Sequence, residues 1–142
     1  MVYKATRLIQ QEMDEDNVNY MIQDDDDQSA IIAGFSVKNG PSVRAIFISK
    51  NDNNDVAIRL YGLISDVADQ DKLKIYEVIN SVHNQYRFLN FSLDEDGDLN
   101  VSYDLPQNIP DEGVGPACVE IFVRIMDILN KVYPMFMIAL WS

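Results

Sequence analysis

The hydrophobic period of this chain changes along its length, and that change limits the fold more than any other feature. From about Tyr3 to Met13, Ala5, Leu8, Ile9 and Met13 recur at helical spacing among good helix formers, and Asp14-Glu15-Asp16, poorly matched to a helix C-terminus, marks the stop. From Val18 the period drops to two. Val18, Tyr20 and Ile22 alternate with Asn19, Met21 and Gln23; Ile31, Ala33, Phe35 and Val37, then Val43, Ala45 and Phe47, then Val56, Ile58 and Leu60 each mark one face of a short strand. The connections, Asp24 to Gln28, Lys38-Asn39-Gly40-Pro41-Ser42 and Asn51 to Asp55, are rich in Asp, Asn, Gly and Pro, which accept the backbone angles of tight turns. Four consecutive strands should form an antiparallel meander.

Helical spacing returns at about Asp69. Leu73, Tyr76 and Ile79, with Ile75, Val82 and Tyr86, form one apolar side, and Asp69, Asp71 and Arg87 suit the two ends of the helix dipole. Leu89, Phe91 and Leu93, then Leu99, Val101, Tyr103 and Leu105, predict a hairpin turning at Asp94-Glu95-Asp96-Gly97-Asp98, with Gly97 where positive φ is favoured. Pro106 to Gly113 reads as a loop and Gly115-Pro116 as the opening of the last helix. Glu120, Arg124, Asp127 and Lys131 make a polar stripe with two i,i+4 ion pairs, while Ile121, Phe122, Ile125, Ile128, Leu129 and Val132 cover the other side. The order is α-β-β-β-β-α-β-β-α. It reads as one α+β domain over residues 1–142, an antiparallel β-sheet with helices packed on a face.

Charge narrows the function classes. Eleven Lys and Arg stand against twenty-three Asp and Glu, a net charge of −12, so nucleic acid and anionic membrane surfaces are repelled at long range. The acids gather at expected turns, Asp14 to Asp16, Asp24 to Asp27, Asp94 to Asp98 and Asp111-Glu112, as a solubilising surface does; a docking site for a basic partner is the other reading. The single cysteine, Cys118, leaves no internal disulfide and points to a reducing compartment, the cytoplasm. No secretion signal is expected at the N-terminus, and Val132 to Trp141 is too short to span a bilayer and carries Pro134.

Candidate chemistry is sparse. The only thiol and imidazole, Cys118 and His83, lie on different helices, and the apolar surroundings of Cys118 suit a buried thiol. Aligning Gly97 with the invariant glycine of a calcium loop puts Ser92 first and Tyr103 twelfth, where a bidentate Glu is needed, so no metal is expected. No glycine-rich phosphate loop occurs, and no cofactor is implied. Many carboxylate pairings are open to twenty-three acids, but nothing selects one as a catalytic pair. Asn80, His83 and Arg87 share a polar helix face with Asn84, either a solvated surface or a recognition surface.

The run Ile79-Asn80-Ser81-Val82-His83-Asn84-Gln85-Tyr86-Arg87-Phe88, followed by Leu93-Asp94-Glu95-Asp96-Gly97-Asp98-Leu99, resembles the bacterial YbjN family of proposed sensory transduction regulators. Asn80, Arg87, Phe88 and Gly97 match that family's pattern; Val82 stands where Trp is common and His83 where Asn is common. The resemblance implies a fold similar to type III secretion chaperones, a curved antiparallel sheet flanked by helices in small, acidic, usually dimeric proteins that bind extended client segments.

These readings converge on a non-enzymatic protein-binding module, possessing either a regulatory role or that of a dedicated secretion chaperone; an enzyme using carboxylates is the third class. The exposed sheet face or the last helix would make the contact. From Ile121 to Trp141 there are more apolar residues than one sheet-facing stripe needs, which predicts a homodimer with Phe122, Met126 and Phe136 as contact residues, unless Pro134 breaks the helix and turns the tail onto its own core.

Overall fold

The computed structural model describes residues 1–142. Its first helix, α1 (Lys4–Glu15), stops where Asn17 turns to φ +58° and the Val18 N–H donates back to the Met13 carbonyl at 2.8 Å. Strands β1 (Met21–Asp24), β2 (Ser29–Ser36), β3 (Ser42–Ser49) and β4 (Val56–Ile64) follow as a meander. A short 3-10 turn at Asp69–Asp71 leads into α2 (Lys72–Gln85), then β5 (Asn90–Leu93), β6 (Leu99–Asp104) and α3 (Asp111–Trp141). The element order is the one expected, and the fold class is α+β.

All six strands join one open antiparallel sheet in the order β1-β2-β3-β4-β6-β5. The inward positions are those that the alternation marks: Ile31, Ala33, Val43, Ala45, Phe47, Val56, Ile58, Leu60, Phe91, Leu99 and Val101 are buried in one cluster with Ile9 and Met13 of α1, Ile75 and Val82 of α2, and Ile121, Ile125, Leu129 and Val132 of α3. One sheet face thus supplies the floor of the core and three helices its roof. Truncating a fully enclosed ring such as Phe47 to Ala would cost about 3–5 kcal/mol, lost transfer energy plus the cavity left behind.

Two glycines hold elements together. Gly115 lies where α1 crosses α3, and a Cβ there would come within 2.7 Å of Glu12 Cβ and 2.8 Å of the Leu8 carbonyl. Gly97, at φ +80°, closes the β5–β6 turn, and its carbonyl accepts the Val67 N–H at 2.9 Å, tying the hairpin to the β4–α2 connection.

The structure departs from expectation in three places. β1 begins at Met21 and all its residues are exposed; Val18 and Tyr20 are half-buried but precede the strand, because the Asn17 turn occupies that stretch. On α2 only Ile75 and Val82 are buried, while Leu73 and Tyr76 face solvent, since the stripe through Ile75, Ile79 and Val82 alone points at the core. α3 opens at Asp111, not at Gly115-Pro116: Asp111 and Glu112 suit its positive end, and Pro116 sits inside the helix. The helix also runs on through Pro134 to Trp141 with no fold-back of the tail.

Candidate functional site

The side chains that chemistry would need are engaged in the fold. Cys118 is fully enclosed, and burial pushes its thiol up to about 12. The Nε2 of His83 accepts the Phe91 N–H at 3.0 Å across the loop that joins α2 to β5. Asp94 spends Oδ1 on the N–H groups of Asp96 (2.9 Å) and Asp98 (3.0 Å) and Oδ2 on the Asn100 amide (2.9 Å). The Asp98 N–H leads in holding the Asp94 carboxyl below its ordinary range, with the Asn100 amide next. No cluster of three or more His, Cys, Asp or Glu is placed to hold a metal, and no helix is long and apolar enough to cross a membrane.

The six candidate contact residues divide into two groups. Asn80, His83 and Arg87 are exposed at the end of α2. Beside them Phe88 takes φ +80° and carries the Arg124 guanidinium 4.6 Å above its ring, a contact between the end of α2 and α3. Phe122, Met126 and Phe136 are not on an outer surface of α3. Phe122 is buried edge-on to Phe35 (5.7 Å) and Phe47 (6.3 Å), Phe136 is buried 5.9 Å from Phe91, and Met126 is half-buried. The reason is the uninterrupted helix: its sheet-facing stripe continues past Pro134 and takes Phe136 inward. On α3 the exposed large apolar residues are Val123, Ile138 and Trp141.

The exposed sheet face, one of the two surfaces expected to make contact, lies on the side of the sheet away from the core. The register places Met21, Ile32, Ile46 and Arg59 in one row across β1, β2, β3 and β4, and Ala30, Ile48 and Ala57 in the next. Ile32, Ile46 and Ile48 are half-buried by one another and lie outside the core cluster. Tyr61 stands beside Arg44 and Ile46 at 60% exposure, where β4 shifts register and Gly62 turns to φ +72°. No helix covers this face.

Its charge is unlike the rest of the chain. Among the outward positions of β2, β3, β4 and β6 the only acid is Asp104, and Arg59 holds it at 2.7 Å. Arg44, exposed, has neither an ion pair nor a side-chain hydrogen bond. Apolar residues with Tyr, Met and Arg and without free carboxylates are the composition of an interface core.

Both sheet edges are shielded against strand addition. β1 runs into Asp24-Asp25-Asp26-Asp27, and the outward N–H of Phe91 on β5 is taken by His83. A four-residue, acid-flanked edge at β1 and an occupied N–H at β5 are poor templates for strand addition, which leaves the open face as the larger accessible surface of the sheet.

No family model matches the chain, and no curated protein matches it in sequence. The structure is similar to the crystal structure of YbjN from E. coli, a candidate transcription regulator, with a TM-score of 0.61 and 14% identity over 91% of each chain. What the residues Ile79 to Leu99 suggest about shape thus holds for the whole domain: the chain has a YbjN-like fold.

Proposed function

We propose that this protein is a non-enzymatic binding module for another protein, with the outer sheet face as its contact surface. The observation that carries the reading is that face: three isoleucines, a tyrosine and an unpaired arginine lie together on the uncovered side of a sheet in a chain of net charge −12. Leaving such a strip in water forgoes about 25 cal/mol for each Å² a partner could cover. A regulatory role through protein contact agrees with the acidic charge, which disfavours direct nucleic-acid binding. The engagement of Cys118, His83 and Asp94 within the fold supports a binding role over a catalytic one.

The test is site-specific photo-cross-linking. A photoreactive phenylalanine in place of Tyr61 should give a protein adduct in cells that Ile46→Ser weakens, while the same group in place of Glu120 on the exposed stripe of α3 should not. Equal adducts from both positions, or an adduct at position 61 indifferent to Ile46→Ser, would remove the outer face from consideration.

We also infer a homodimer, with its contact at the C-terminal end of α3. Ile138 lines an apolar groove with Val78, Met135 and Ala139, Lys74 Nζ reaches the Ser142 carbonyl at 2.7 Å, and Leu73 and Trp141 are exposed nearby in sequence.

A further inference from the structure

Resting on the protein-binding reading, we propose that the outer sheet face docks an acidic amphipathic helix of its partner, laid over Gly34 with apolar side chains on Ile32 and Ile46 and a carboxylate on Arg44. Three independent observations select this occupant.

The first is Gly34. It lies within β2, paired with Arg44 on β3, and a glycine there weakens the strand. The fold does not require it. Its φ is not positive, and an added Cβ would meet only the Val43 carbonyl at 3.4 Å and Arg44 Cγ at 3.8 Å, ordinary contact distances. Its missing side chain opens a shallow depression bordered by Ser36, Ser42 and Arg44. A strand glycine without an internal reason is often found where a ligand or another backbone comes close.

The second is charge. Arg44 is unpaired beside the isoleucines, whereas Arg59 on the same face is already neutralised by Asp104 at 2.7 Å. An unpaired guanidinium on an apolar surface favours a carboxylate, with which it forms paired, parallel hydrogen bonds. The acids elsewhere on the chain oppose an acidic partner at long range, but that repulsion is screened within about 8–10 Å at physiological salt. Their effect falls on the encounter rate more than on the seated contact.

The third is size and access. From β1 to β4 the face is about 15 Å wide, and from Ala30 to Ser36 about 20 Å long, so it offers roughly 300 Å². A stable interface between folded proteins takes about 800 Å² from each partner, so a second copy would have to cover far more of the molecule than this strip. A helix about 10 Å across and three or four turns long covers it. Strand addition is the other economical mode, and both edges resist it: Asp24 to Asp27 follow β1, and His83 occupies the Phe91 N–H of β5.

The experiment uses the full chain and a displayed library of helix-forming peptides about 18 residues long, enough to sustain helical structure. Peptides enriched on the wild type are re-measured on Arg44→Glu and on Ile32→Ser with Ile46→Ser, after circular dichroism has shown both variants folded. Asp or Glu next to apolar residues at i and i+3 or i+4 is the expected signature. Binding should fall about tenfold or more on Arg44→Glu and recover when Lys replaces the peptide acids. Enriched peptides that are basic or non-helical and still need Ile32 and Ile46 would overturn the acidic helix and leave the binding face standing. Peptides indifferent to both variants, or no enrichment above the naive library, would overturn the face as well. A wild-type dimer that Arg44→Glu dissociates would put a second copy in the helix's place.

Discussion

The His83 imidazole and the Phe91 main chain are joined across the α2–β5 loop: Nε2 accepts the Phe91 N–H at 3.0 Å, and the two rings stand 6.2 Å apart. A side chain of α2 thereby takes a donor that an edge strand would otherwise offer to any passing strand. His83→Ala should lower stability by about 1 kcal/mol, more if the half-covered N–H finds no water. It should also make the protein slower to refold without aggregating, because the edge is left open. His83→Gln, which keeps an acceptor, should recover most of the loss. Urea denaturation of the three forms checks this, and an alanine variant equal to wild type in both respects would leave the bond without a role.

The α1–α3 crossing rests on Gly115. In an open helix Gly→Ala adds about 1 kcal/mol of stability. Here the new Cβ would lie 2.7 Å from Glu12 Cβ and 2.8 Å from the Leu8 carbonyl, and a main-chain oxygen cannot swing away as a side-chain tip can. The two helices must separate, at about 1–3 kcal/mol, so the net sign is destabilising. A midpoint for Gly115→Ala at or above that of wild type would mean that α1 gives way without cost.

The Asp94 turn predicts a pH dependence. The Asp98 N–H, the Asn100 amide and the Asp96 N–H bind its charged form and hold its folded pKa below the ordinary aspartate value. In the window between the two values the unfolded chain binds more protons, so stability rises with pH there. The contribution is complete above the ordinary value and is lost as pH falls through the folded one. Asp94→Asn keeps one acceptor for the Asp96 and Asp98 N–H groups, removes the charge, and gives up the bond from the Asn100 amide. Its urea midpoint should therefore fall less steeply than that of wild type between about pH 5 and pH 2. Parallel curves would remove Asp94 from the acid response.

Much of this architecture is legible in the sequence because one physical rule, burial of alternate residues, dominates each inner strand. The outer face is legible too, though by failure of the rule: Ile32 beside Ile31, and Ile46 and Ile48 around Phe47, are apolar where solvent-facing residues belong. The inward stripes account for the alternation and give these residues no place in the core. Other features depend on distance in space. Pro116 looks like a first helical residue, and only the packing of Gly115 on α1 shows that the helix is already under way. Phe136 looks like surplus apolar surface until the helix is seen to pass Pro134 unbroken. The bond from His83 to Phe91 spans a loop in which Phe88 takes a positive φ, and no spacing rule reaches across it.

Cys118 reports on opening of the core. Its thiol is enclosed, and burial alone pushes it up to about 12, so at neutral pH the reactive thiolate is almost absent and reagents have no path to it. Labelling by a thiol-specific disulfide reagent should be slow in buffer and rise with urea along the unfolding curve. Rapid labelling of the folded protein would show that α3 lifts from the sheet without global unfolding.

The proposed dimer contact falls at the end of α3, away from Phe122 and Phe136. Phe122 and Phe136 are enclosed within one chain, so an Asp at either position would unfold the protein before it could report on association. Ile138 and Trp141, 68% and 82% exposed, are the informative pair. They lie one helical turn apart at the end of α3, and Ile138 borders the groove with Val78 of α2. An interface there would bury aromatic and aliphatic surface while the acidic turns stay in solvent. Light scattering at micromolar concentration should give twice the chain mass for wild type and the chain mass for Ile138→Asp with Trp141→Asp, at unchanged far-ultraviolet circular dichroism. Ile46→Ser, on the outer sheet face, should stay dimeric, which separates self-association from the binding surface. A wild type of single-chain mass under these conditions would end the homodimer, and a dimer broken by Ile46→Ser alone would move its contact to the sheet.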